Sequence, residues 1–145
     1  MLDTVDQRII RILDADARIS LKQLSNQVGL SSPSVSERLR RLEEQGVIAN
    51  FTIRVSPEAI GYQLQAIVRI RSVPGAVHKV ERLVQQTPEF VECDKVTGEE
   101  SFIGRVYVRS MAHLDKVLDR FQEIALTNTA MIKTTPVKRR LPPLE

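Results

Sequence analysis

Residues 20–46 hold two short helical patterns separated by one glycine, and this arrangement constrains the fold more than any other feature. Ser20 and Gln23 fit a capping box, in which a side-chain oxygen at each position accepts a backbone N–H at the start of a helix. Gly29 can end that helix in a left-handed conformation that other residues adopt at a cost. We therefore predict a tight helical hairpin.

The second helix of this hairpin has a serine-rich start and a charged outer face. Ser31 or Ser32 can cap it, and Pro33 suits its first turn, where a missing N–H costs nothing. Gly46 ends it. The apolar residues at helical spacing, which predict the buried stripe, are Val35, Leu39 and Leu42.

A short turn followed by a helix with a small, polar beginning is typical of a helix that enters the DNA major groove. Serine hydroxyls can bond phosphates or base edges, and arginines can contact the backbone or a guanine edge. Arg38 has an alternative role, since it could brace the domain through an acidic partner. The candidate DNA-binding residues are Ser31, Ser32, Ser34, Ser36, Glu37, Arg38, Arg40 and Arg41.

The charge of the chain is small and unevenly distributed. The net charge is +3, and residues 1–60 carry eight basic and eight acidic residues, so the DNA interpretation depends on the placement of the arginines and not on bulk charge. The run Lys138–Arg140 could touch phosphates or form an ordinary solvated segment.

Residues 1–60 are predicted to form a winged helix-turn-helix domain. Val5, Ile9, Ile12 and Leu13 give a first helix its apolar stripe. Residues 50–55 alternate like a strand and would form the wing, and residues 56–61 contain the proline and glycine of a hinge.

Residues 61–145 are predicted to form a ferredoxin-like domain, since the patterns follow the order β-α-β-β-α-β with a last strand at residues 129–135. Helices cover one face of such a sheet. The other face would carry Ile67, Ile103, Tyr107 and Ile132, which is too apolar to stay open, so we expect a homodimer through the sheet.

Other classes of protein have little support. A single cysteine, Cys93, excludes an intrachain disulfide. We expect His78 and His113 on the surface, and find no catalytic, metal-ligand or cofactor-binding motif, so we expect no enzyme and no cofactor. No signal peptide or long apolar run is present, which predicts a cytoplasmic protein without membrane contact.

Several motifs together resemble the Lrp/AsnC, or feast/famine, family of bacterial and archaeal transcriptional regulators. They are Val28–Ser31, Arg38–Glu43, Gly46–Ile48, Pro57 with Gly61, and Val96–Gly98. The resemblance implies sequence-selective binding of double-stranded DNA, dimers that associate further into octamers, location on the nucleoid, and an amino-acid effector bound by the second domain.

The resemblance also implies an effector loop, and here the chain departs from the family pattern. Many members have Gly-Asp-aromatic-Asp before the third strand, whereas this chain has Gly98, Glu99, Glu100 and Ser101. Ser101 cannot supply the charge that would hold an ammonium group, although Glu99 or Glu100 could. Thr129 resembles another wall of the pocket. The alternative function is a sensor or architectural oligomer with weak DNA binding and no amino-acid response.

Overall fold

The computed structural model describes residues 2–145, which divide into two compact units. The first unit runs to Arg54 and also takes in Val137–Glu145, and the second unit is Val55–Pro136.

Three helices form the first unit: α1 (Thr4–Ala15), α2 (Leu21–Val28) and α3 (Ser32–Glu44). The predicted caps are confirmed, because Ser20 and Gln23 form both bonds of the capping box and Gly29 has φ +74°. The helices bury one aliphatic core, whose buried members are Ile9, Ile10, Leu24, Val28, Val35 and Leu42.

The predicted wing strand at residues 50–55 is wrong for the single chain. Residues 50–56 have no regular secondary structure and pair with no strand among residues 2–145. Phe51, Ile53 and Val55 are exposed by 49%, 81% and 54%. Alternation in the sequence favours a strand, but a strand also needs a neighbour for its N–H and C=O groups, and the described residues of one chain supply none here.

The second unit has the predicted β-α-β-β-α-β order. Its elements are β1 (Leu64–Ser72), α4 (Val77–Gln85), β2 (Phe90–Lys95), β3 (Phe102–Val108), α5 (Met111–Asp119) and β4 (Ala125–Met131), after a short 3-10 helix at Glu58–Ile60. The antiparallel sheet has the order β2-β3-β1-β4. None of the helices in residues 2–145 is both long and apolar enough to cross a membrane.

The two helices cover one face of the sheet only. Alternate residues of β1, Ala66, Val68 and Ile70, are fully buried on the core face, as the alternation predicts. On the opposite face, Ile67, Ile103, Tyr107 and Ile132 are half-buried.

The last strand begins four residues earlier than predicted, at Ala125 instead of Thr129. A tight turn after α5, in which the Ala125 N–H donates to the Phe121 carbonyl, starts the strand at once. Pairing of Ser72 with Ala125 then fixes the register along β1. The predicted range of 129–135 therefore overlaps only the last three residues of β4, which ends at Met131.

The units also differ at their edges from the predicted domains of residues 1–60 and 61–145. Residues 55–60 belong with the second unit, where the Arg109 guanidinium donates to the Ile60 carbonyl (3.3 Å). Residues 137–145 belong with the first unit, where Leu144 packs against the helical core. Both differences arise from contacts between residues far apart in the sequence.

Candidate DNA-binding surface and effector loop

The serines at the start of α3 divide into bonded and free hydroxyls. Ser31 is the N-cap and accepts the N–H of Ser34 (3.4 Å). Ser32 is half-buried, and its hydroxyl bonds that of the buried Ser25 on α2 (3.2 Å). Ser36 is exposed, and its hydroxyl bonds no other residue in 2–145. Ser34 is also exposed, but its hydroxyl accepts a hydrogen bond from that of Ser31 (2.9 Å). Ser36 therefore has the unbonded hydroxyl, Ser34 has an accessible but bonded one, and Ser32 connects the two helices.

Arg40 and Glu37 lie on the outer face of α3 and bind each other. Arg40 donates to Glu37 (2.6 Å) and also to Glu44. The hydrogen bond from Arg40 lowers the pKa of Glu37, and the two acids raise the pKa of Arg40. All three side chains are more than half exposed, so a phosphate can compete for Arg40.

Arg38 binds two acids of α1. One of its nitrogens donates to Asp3 (2.6 Å) and to Asp6 (2.8 Å). The side chain is only 26% exposed and that of Asp6 only 5%. The pKa of Asp3 is lowered, first by the N–H of Asp6 at the helix cap and then by Arg38. The bracing role that the sequence left open is thus the one that this geometry supports.

Arg41 shares Asp6 with Arg38 but remains more accessible. Its guanidinium donates to Asp6 (3.1 Å), and 46% of the side chain is exposed. Sequence reasoning missed this cluster of two acids and two arginines. A signal was present, because Asp3 and Asp6, like Arg38 and Arg41, are three residues apart and therefore share a helix face.

The loop Gly98–Ser101 connects β2 to β3 in the second unit. Arg71 donates to the carboxylate of Glu99 (2.6 Å), so this acid already has a partner. Glu100 is half-buried and makes no side-chain hydrogen bond within residues 2–145. The Ser101 N–H donates to the Ile70 carbonyl (2.7 Å), which holds the loop at the end of β1.

A buried hydroxyl beside this loop was not predicted. The Ser72 N–H donates to the Ser101 hydroxyl (3.4 Å), and the hydroxyl oxygen of Ser72 is buried without a partner in residues 2–145. Buried polar atoms are normally hydrogen-bonded, so the Ser72 hydroxyl has an unused capacity to bond a further group at this loop.

Thr129 lies apart from the loop. It pairs with Val68 from the β4 side of β1, whereas the loop meets β1 at Ile70 from the β3 side. The second unit of one chain therefore does not join Thr129 and the loop in one site.

The two histidines and the single cysteine have different surroundings, and His78 is exposed as predicted. His113 is half-buried, contrary to the predicted surface position, because its ring accepts the N–H of Arg109 (3.1 Å) and bonds Glu89 (3.0 Å). Burial raises the pKa of the Cys93 thiol. No group of three or more metal-binding side chains occurs in the described part of the chain.

Comparisons with known proteins agree with both units. A family model described as winged helix-turn-helix DNA-binding matches residues 2–49, and one described as Lrp/AsnC ligand binding domain matches residues 65–142. The transcriptional regulator FL11 of Pyrococcus furiosus is 34% identical over 119 residues, which is 82% of this chain and 79% of FL11.

Comparison with solved structures also finds transcriptional regulators of this kind. The structure of LrpC from Bacillus subtilis matches with a TM-score of 0.90 at 26% identity, covering 96% of this chain and 99% of LrpC. A feast or famine regulatory protein of Mycobacterium tuberculosis complexed with L-methionine matches with a TM-score of 0.87 at 32% identity, covering 98% of this chain and 99% of that one.

The helix-turn-helix unit and the four-stranded unit with two helices together define a DNA-binding transcriptional regulator with a ligand-binding domain. The chain belongs to the Lrp/AsnC family.

Proposed function

We propose that this chain binds specific DNA sequences as a homodimer or larger assembly, and that an amino acid or a related small molecule modulates the binding. The observation that carries the proposal is the exposed, hydroxyl-bearing start of α3 in the first unit. Such a regulator acts in the cytoplasm on the nucleoid, and regulation rather than catalysis is its role.

The residues of α3 have different proposed roles. Ser34 and Ser36 meet base edges or phosphates, since their hydroxyls are exposed at the start of the helix. Arg41 meets a phosphate, because nearly half of its side chain is exposed. Arg40 exchanges Glu37 and Glu44 for the DNA backbone. Arg38 stays on Asp3 and Asp6 and positions the helix.

Binding to the duplex upstream of the chain's own gene, measured by anisotropy against a scrambled duplex, tests these roles. Arg41→Ala should weaken binding to both duplexes by a similar factor, because phosphate contacts carry no sequence information. It should lower the melting temperature less than a change at Arg38 does, because Arg41 is more exposed and Asp6 keeps its shorter bond to Arg38. Ser36→Ala should weaken binding to the upstream duplex more than to the scrambled one. Lys116→Gln, an exposed position in the second unit, is the matched control.

Two results would contradict the assignment. An Arg41→Ala protein that unfolds would make Arg41 a structural residue. A Ser36→Ala protein with unchanged discrimination would remove that serine from the specific contacts.

The proposed effector site is the loop Gly98–Ser101. Of the two acids in this loop, Glu100 is the one whose side chain has no hydrogen-bond partner within residues 2–145, and the Ser72 hydroxyl is a buried polar atom beside the loop. An ammonium group would bind Glu100, because charge-assisted hydrogen bonds are the strong ones. Thr129 would join the site only from another copy of the chain, since one chain holds it apart from the loop.

Calorimetric titration with L-methionine and L-leucine tests this site. Glu100→Gln should abolish the heat of binding, whereas Glu123→Gln, at an exposed position after α5, should leave it unchanged. If the wild type binds neither amino acid, the alternative of a regulator with no amino-acid response is favoured. That alternative has its own support, because Ser101 stands where a second acid would be expected and Glu99 is bound to Arg71.

A second copy of the chain is the proposed cover for the open face of the sheet. Ile67, Ile103, Tyr107 and Ile132 present apolar area there, and a two-fold partner would bury it. Light scattering should give the mass of a dimer or a multiple of it, such as an octamer. Ile67→Glu should shift the mass toward the monomer, and a stable monomeric wild type would contradict the proposal.

A further inference from the structure

A run of three consecutive basic residues on the first unit comes from a part of the sequence far from its helices. Residues 137–145, here called the basic segment, contain Lys138, Arg139 and Arg140, and they belong to the first unit. The segment adds three basic residues and one acidic residue to residues 1–54, which carry eight basic and seven acidic ones. Its presence therefore changes a nearly neutral unit into a basic one.

The basic segment is held on the first unit at two points. The Arg54 guanidinium donates to the Arg139 carbonyl (3.0 Å). Leu144 packs against the helical core, and its carbonyl accepts from Arg11 on α1 (3.3 Å). Pro142 and Pro143 lie between these points and restrict the backbone, so docking of the segment costs less conformational entropy.

The cations of the segment have no acidic partners. Arg54, Lys138, Arg139 and Arg140 are all exposed, and none forms an ion pair within residues 2–145. The three arginines of α3 differ in this respect, since each binds at least one carboxylate. Positive side chains that a fold holds close together, with no acidic side chain to neutralise them, create a positive potential that attracts an anionic partner.

We propose that the basic segment is a second contact of the first unit with duplex DNA, in which Arg54, Lys138, Arg139 and Arg140 bind backbone phosphates. The proposal rests on the proposed function and deepens it. Phosphates carry no sequence information, so this contact raises affinity and leaves discrimination to α3.

The test compares two triple variants of the full chain. K138Q/R139Q/R140Q removes the charges of the segment, and K79Q/R82Q/K116Q removes three exposed charges of the second unit that form no ion pairs among the described residues. Anisotropy with the upstream and the scrambled duplex, over a range of salt concentrations, gives affinity, discrimination and salt slope for each protein.

The slope of log affinity against log salt should become shallower by about 0.9 for each phosphate that the variant no longer neutralises, hence by roughly 1 to 3 for the segment variant. Its affinity for both duplexes should fall by the same factor, and the control variant should match the wild type. Equal slopes for the two variants would overturn the proposal while leaving the proposed function intact. A wild type that binds neither duplex would overturn both.

Proteolysis tests the same contact without any substitution. Trypsin cleaves after Lys and Arg, and residues 138–140 are exposed. The scrambled duplex should slow cleavage at these positions relative to cleavage after Lys79 and Arg82. Equal slowing at all of these positions, or none, would overturn the proposal.

Discussion

Arg38 is bonded to the buried Asp6, so its substitution tests whether it stabilises the first unit or contacts DNA. Unfolding measurements report the first role, and DNA affinity reports the second. Asp6 is 4% exposed and accepts from Arg38 (2.8 Å) and Arg41 (3.1 Å). Arg38→Met removes the charge and the donors but keeps an unbranched stem. Asp6 would then remain buried with Arg41 as its remaining charged partner.

The expected cost follows from the kind of bond that the substitution removes. Hydrogen bonds to charged groups contribute about 1.5–3 kcal/mol, and breaking a fully buried ion pair costs about 3–5 kcal/mol. Arg38 is a quarter exposed and Asp6 keeps Arg41, so we expect about 2 kcal/mol. For a unit of this size that lowers the melting temperature by roughly 8–16 °C. Asp6→Asn should cost a similar amount, and the double variant less than the sum.

The assay is urea unfolding followed by two probes. Both tyrosines, Tyr62 and Tyr107, lie in the second unit, so tyrosine fluorescence reports on that unit. Far-UV circular dichroism also reports on the three helices of the first unit. The variants should move the circular dichroism transition and leave the fluorescence transition in place.

The control is Arg40→Met, whose partners are exposed and whose transition should match that of the wild type. The reasoning is refuted if Arg38→Met is as stable as Arg40→Met and has lost its affinity for DNA. That combination would make Arg38 a contact to DNA and not a brace.

Three further predictions concern stability. Gly29→Ala should cost about 1 kcal/mol in the first unit, because φ is +74° and a Cβ there meets no other atom within 4 Å, so the backbone alone is strained; an unchanged circular dichroism transition would contradict this. Gly104→Ala should cost about 1–3 kcal/mol in the second unit, because its Cβ would lie 2.6 Å from the Phe90 ring, and the fluorescence transition should report the loss. The hydrogen bond from His113 lowers the pKa of Glu89, so this carboxylate stabilises the fold above its unfolded pKa of about 4.3, and the contribution is lost as the pH falls through the lower folded pKa. Glu89→Gln should therefore be less stable than the wild type at neutral pH, and the two unfolding curves should converge in acid; a constant difference down to low pH would contradict the linkage.

The elements that sequence reasoning predicted well are those whose causes are local. The capping box at Ser20, the glycine at position 29 and the apolar stripes act within one or two helical turns, and all of them are present. The β-α-β-β-α-β order followed from alternation within single strands in the same way.

The errors concern contacts between distant residues. Residues 50–55 alternate like a strand, but a strand needs a pairing neighbour, and none is present within residues 2–145. The start of β4 depends on its register with β1, and the position of residues 137–145 depends on contacts with Arg54 and Arg11. No local pattern encodes these contacts.

In the candidate site, too, local features were predicted and contacts between distant residues were not. The spacing of serines and arginines on α3 follows directly from the sequence, whereas the partner of each arginine does not. Arg38 is 32 residues from Asp6, and only the packing of α1 on α3 brings them together. Charge alone could therefore not separate the bracing arginine from the accessible one.

Binding of the purified wild type to its own upstream duplex and to a scrambled duplex, between about 50 and 200 mM salt, tests the central claim most directly. The account predicts that both affinities fall steeply with salt, by a slope of about −0.9 for each phosphate neutralised, and that the preference for the upstream duplex persists at every salt concentration. Binding that is insensitive to salt and equal for the two duplexes would contradict the assignment of the first unit as a sequence-selective reader of DNA.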